Sequence, residues 1–142
     1  MFQVDVYRLH EGASLPSYGT SLSSCFDLGF YPSASDPIVK GYDGYNVEVQ
    51  RYVTNGEVLI RPGDRLLIPT GLVFKIGIAH SIEHFSDISK DKEELRQFSI
   101  RLHPRSGLSL KRGLVLANSE GIVDVDYQQQ VFLLITNISQ VT

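Results

Sequence analysis

The stretch HPRSGLSLKRG, residues 103–113, carries the residue types that hold an anion. Ser106 is a good N-cap, Lys111 and Arg112 fall where a last helical turn would lie, and Gly113 suits the left-handed residue that ends a helix. The spacing therefore predicts a two-turn helix starting at Ser106, with Arg105 beside the positive end of its dipole, a combination that favours phosphate. A capped connector helix whose arginine pairs with a surface carboxylate would read the same way. Farther on, GIVDVDYQQQV (121–131) sets Asp124, Asp126 and Gln128 on one face of a strand and Val123, Val125 and Tyr127 on the other. At a hairpin end an aspartate can orient and deprotonate water, and a tyrosine ring can lie against a sugar. A solvated aspartate pair beside a core tyrosine remains the alternative at this point.

Other candidates are weaker. His80 and His84 are four apart, but no glutamate follows the first histidine as a zincin helix requires, and the surrounding sequence reads as a loop. Cys25 has no evident partner base and reads as a small buried residue. As the one cysteine it cannot form an internal disulfide, so nothing points to an oxidising compartment. A formal charge of −3 argues against nonspecific nucleic-acid binding. The start, MFQVDVYRLHEG, lacks the apolar core of a signal peptide, and no run approaches a membrane span; a cytoplasmic location is the default expectation.

The elements that must position these residues are short. Residues 2–7 alternate with period two, and similar runs recur at 25–31, 45–53, 57–60, 65–76, 98–103, 113–118, 121–127 and 130–136. All are rich in Val, Ile, Leu, Phe and Tyr and are punctuated by Gly, Pro, Asn and Asp. With 142 residues available, this rhythm predicts a single all-β domain over 1–142, a distorted jelly roll or β-barrel with one short helix after Pro-Arg-Ser-Gly. Two segments, 33–45 and 79–97, break the rhythm and read as surface loops.

Four blocks, LPSYGTSLSSCFDLGFY, RPGDRLLIPTGLVFKI, HPRSGLSLKRG and LANSEGIVDVDYQQQVFLLITN, stand in the order and spacing of one family. The sequence resembles the trimeric dUTPases, which hydrolyse dUTP to dUMP and pyrophosphate. The resemblance covers most of residues 15–137.

What it implies carries over by position. Asp124 corresponds to the aspartate that activates the water attacking the α-phosphorus, and Tyr127 to the ring that packs on deoxyribose and excludes a 2′-hydroxyl. Asn118 corresponds to a uracil contact, with hairpin backbone near Gly121, Ile122, Val123 and Phe132 reading the base edge. Arg105, Ser106 and Gly107 correspond to the phosphate-side loop. Asp27 corresponds to a carboxylate near the water shell of Mg²⁺, an ion that this family holds mainly through substrate phosphates. A homotrimer with sites at subunit interfaces is implied, with dUTP as ligand and neither nucleic acid nor membrane as partner.

The chain departs from the family pattern at Ser24-Cys25-Phe26 before Asp27, at Gln129 where glycine is usual, and in lacking the fourth and fifth motifs; the expectation is a natural chain that continues past Thr142. A dCTP deaminase would need a glutamate where Leu134 stands. A dUTPase-like regulator acting through 79–97 is the alternative from another class.

Overall fold

The computed structural model describes residues 2–33, 35–78 and 98–142; segment 79–97, with His80, His84 and the second predicted surface loop, lies outside the described residues. The chain runs β1 (Phe2–Arg8), β2 (Ser17–Tyr18), β3 (Phe26–Asp27), β4 (Ile38–Tyr42), β5 (Glu48–Tyr52), β6 (Arg65–Pro69), β7 (Leu72–Ile78), β8 (Ser99–Leu102), α1 (Ser106–Arg112), β9 (Leu114–Leu116), β10 (Gly121–Asp124) and β11 (Phe132–Asn137). A five-stranded antiparallel sheet in the order β5-β4-β6-β11-β9 is the largest layer, and β1-β7, β8-β10 and β2-β3 form smaller antiparallel pairs. Among the described residues the fold is all-β with one short helix, in keeping with the jelly-roll expectation.

Period-two patterning explains which face is buried. In β6, Leu66 and Ile68 point inward while Leu67 faces solvent; β11 answers with Leu133 opposite Ile68 and Ile135 opposite Leu66. Leu72 and Phe74 of β7, Leu102 of β8, Leu116 of β9 and Val123 of β10 complete the core. Burying one such side chain is worth about 1.5–3 kcal/mol. Phe26 of β3 stacks on Phe74 with ring centroids 6.2 Å apart, tying the short N-terminal ribbon to this core.

Several predicted elements differ. The excursion 33–45 is not only loop: Ile38–Tyr42 forms β4, inside the large sheet. Its pattern was hidden by Gly41, which is there because a Cβ at that position would come within 2.0 Å of the Arg65 carbonyl oxygen. The glycine-rich remainder is the β4–β5 turn, closed by the Asp43 carboxylate accepting the amides of Tyr45 and Val47, each at 2.9 Å. Residues 57–60 make only an isolated bridge between Thr54 and Glu57. The run 25–31 contributes two strand residues, and 65–76 is two strands broken at Gly71, whose φ is +71°. Cys25 is exposed, not buried.

Two buried polar groups hold connections in place. Asp64, 1% exposed, receives Arg51 Nε at 2.8 Å, Arg51 Nη2 at 2.9 Å and the Arg61 amide at 3.0 Å. Asn137, 3% exposed, donates to the carbonyls of Ile60 and Val141, each at 2.7 Å, and accepts from the amide and hydroxyl of Ser139. Satisfied in this way, both groups escape the usual cost of burying polarity. No helix among the described residues is long and apolar enough to cross a membrane.

Candidate active site

The helix forms over Ser106–Arg112, and Gly113 ends it at φ +63° with its amide reaching back to the Leu108 and Ser109 carbonyls. The glycine is required there, since a Cβ would also come within 2.8 Å of Ser139 Cβ. Its start is shifted by one residue. Arg105, at φ −66° and ψ 134°, is the cap, no side chain caps the helix, and Ser106 is already its first residue. Pro104 disfavours helical backbone at His103 before it, so the helix does not begin earlier than this turn. The Leu108 and Ser109 amides return to the Arg105 carbonyl, at 2.9 and 3.1 Å, so a ligand at this turn would meet those of Ser106 and Gly107. Nothing lies within 4 Å of the place a Gly107 Cβ would take, which leaves the backbone open to approach.

Arg105 lines a cleft of about 500 Å³ between β3 and β8. Asp27, at the end of β3, lines the same cleft, with Oδ1 3.8 Å from Arg105 Nε; the two side chains are 45% and 78% exposed. Residues 78 positions apart in sequence thus meet because β3 is carried by its stacking on the core.

Asp124 and Tyr127 form a second group. The strand stops at Asp124, and the Tyr127 amide donates to the Asp124 carbonyl at 3.1 Å, closing a turn. Tyr127 Oη donates to the Gln130 carbonyl at 2.9 Å, fixing an exposed ring. The expected face shared by Asp124, Asp126 and Gln128 does not exist, because the strand ends before it can alternate that far. The expected hairpin is also altered: β10 pairs with β8, whereas β11 pairs with β6 and β9. Chain crossing between sheets needs a bend, and the turn at 124–127 supplies it.

Asn118 is exposed in the tight β9–β10 loop, its carbonyl accepting the Glu120 amide at 2.7 Å, with Ser119 at φ +64°. Gly121 and Val123 are buried, and Ile122 is 54% exposed. Phe132 faces away from the cleft, lining instead a cavity of about 340 Å³ with His10, Tyr31 and Lys40.

The two groups do not converge within one chain. Gly121 lies opposite Leu102, near Arg105, but Asp124 lies opposite Ser99, three residues farther along β8, about 10 Å at the rise of a strand. Sequence reasoning also missed a cluster at this cleft. Glu120 accepts from Arg101 Nη1 through one carboxylate oxygen, and its other oxygen lies 3.1 Å from His103 Nε2. The available signal was the i, i+2 spacing of Arg101 and His103 around an inward Leu102.

No family model matches the chain. Among curated proteins it is similar to the deoxyuridine 5'-triphosphate nucleotidohydrolases of Heliobacterium modesticaldum, 30% identical over 141 residues, and of Bartonella quintana, 32% identical over 130 residues. That of Rhizobium meliloti is 30% identical over 128 residues. These alignments cover 96%, 92% and 90% of this chain and 68%, 50% and 56% of those proteins, so the chain spans about half to two thirds of their lengths. With this likeness extending over the cleft, the Pro-Arg-Ser-Gly turn and the Asp124–Tyr127 turn, the chain belongs to the deoxyuridine 5'-triphosphate nucleotidohydrolase family.

Proposed function

We propose that this chain hydrolyses dUTP to dUMP and pyrophosphate, which supplies dUMP and limits uracil incorporation into DNA. The observation that carries the reading is the turn joining Asp124 to Tyr127, in a chain whose relatives are named for this reaction. Asp124 orients and deprotonates the water that attacks the α-phosphorus in line with the departing pyrophosphate. The exposed carboxylate at the strand end has room to accept from water. Tyr127 lies flat on the deoxyribose, and its ring leaves no space for a 2′-hydroxyl. Asn118 contacts uracil, and backbone at Gly121, Ile122, Val123 and Phe132 reads the base edge. Cytosine would leave those polar groups unpaired. Arg105 and the amides of Ser106 and Gly107 hold the phosphates and neutralise charge that builds on the leaving group.

Mg²⁺ fits this arrangement as an ion that arrives with the triphosphate. Asp27, the carboxylate lining the cleft, would hold its water shell, and the ion would supply charge neutralisation at the phosphates.

The three-residue offset along the β8–β10 ladder supports a homotrimer in which Arg105 of one subunit faces Asp124 of the next. A pyrophosphate-release assay with dUTP, UTP, dCTP and dTTP tests the activity. Turnover confined to dUTP is the expected result, and no turnover of dUTP by the assembled protein would reject it.

A further inference from the structure

The cleft beside Arg105 carries more donors than the reaction as described uses. On β8, Arg101 and His103 project to the same side, separated by the buried Leu102, and Arg105 follows after Pro104. All three line the cleft of about 500 Å³. Their side chains are 55%, 60% and 78% exposed, so each can be reached from solvent. Successive members of such a row stand about 7 Å apart along a strand, a span that a chain of two or three phosphates can bridge.

The first two side chains meet one internal anion. Glu120 divides its carboxylate between Arg101 Nη1 and His103 Nε2, and Glu120 itself is 30% exposed. A carboxylate set between an arginine and a histidine nitrogen occupies the place that two oxygens of a phosphate chain would take. Asp27 stands at the other end of the row, 3.8 Å from Arg105, too far for a close ion pair.

We propose that Arg101 and His103 extend the phosphate site beyond Arg105, and that Glu120 is an internal counter-anion which the incoming phosphate chain displaces. The ligand class is a linear di- or triphosphate anion. Its source, the terminal phosphates of a nucleotide or free pyrophosphate, rests on the hydrolase reading above. Glu120 keeps the two donors oriented while the cleft is empty and lowers affinity for the anion, which favours release of a polyanionic product. No bond forms or breaks in this exchange; one acceptor replaces another.

Calorimetric titration of the full chain with inorganic tripolyphosphate tests the proposal, with dUMP titrated in parallel. Arg101→Gln and His103→Gln should each weaken tripolyphosphate binding about three- to tenfold, the scale of an exposed charge-assisted hydrogen bond. Glu120→Gln should tighten it by a similar factor, a gain that an unfolded variant cannot produce. The gain should vanish when Arg101→Gln and His103→Gln are added to Glu120→Gln, and dUMP affinity should stay unchanged throughout. Wild-type tripolyphosphate affinity in both Arg101→Gln and His103→Gln, or no tightening in Glu120→Gln, overturns the proposal. If tripolyphosphate behaves as described while dUTP is left intact, the phosphate row stands and the hydrolase reading falls. If dUTP is hydrolysed and the variants bind like wild type, the reverse holds.

Discussion

The Tyr127 amide donates to the Asp124 carbonyl at 3.1 Å, so that the last residue of β10 and an exposed aromatic ring are held three positions apart by one turn. The turn sets the backbone separation of the carboxylate-bearing and ring-bearing residues.

If Asp124 works on water and not on the nucleotide, Asp124→Asn should lower turnover of dUTP by about 10²-fold or more while nucleotide affinity holds. Single-turnover rates and a direct binding titration separate the two effects. Near wild-type turnover in this variant would remove Asp124 from the chemistry.

The ring of Tyr127 and its hydroxyl have separable roles. Tyr127→Ala should lower the ratio of specificity constants for dUTP over UTP by about tenfold, because the surface that excludes the 2′-hydroxyl is gone. Tyr127→Phe keeps that surface and loses only the bond to the Gln130 carbonyl, so its ratio should stay near wild type. Equal ratios in all three proteins would mean that the sugar is read elsewhere.

A site shared between subunits makes a complementation experiment possible. Arg105→Ala and Asp124→Asn proteins should each be nearly inactive. Mixed, dissociated and reassembled at equal amounts, they should regain roughly a quarter of wild-type activity, since each intact site draws Arg105 and Asp124 from different chains. No recovery, or a monomer in sedimentation, counts against the shared site.

Asp64→Ala would strip three donors of their acceptor and leave the Arg51 guanidinium largely buried without its carboxylate. Removing one partner of such a pair costs about 3–5 kcal/mol. Urea denaturation should show the midpoint falling with little change in slope. A loss below 1 kcal/mol would show that water reaches Arg51 freely.

Much of this protein was legible in its residues alone. Alternation in 2–7, the apolar run 130–136, the Gly113 helix stop and the order of the four sequence blocks depend on local geometry or on residue spacing, both of which a linear chain carries. The placement of Arg105 beside a helix start and of Asp124 near Tyr127 was readable for the same reason. Strand partners were not. Asp124 ends its strand, β10 leaves β11 for β8, and β4 enters the large sheet despite Gly41, because each outcome depends on which distant edge offers hydrogen bonds and room. Glu120 became visible only once the β8–β10 register brought it to Arg101 and His103, residues that nothing in the intervening sequence links to it. Local preference is written residue by residue, whereas pairing across a sheet is decided by the packing of the whole core.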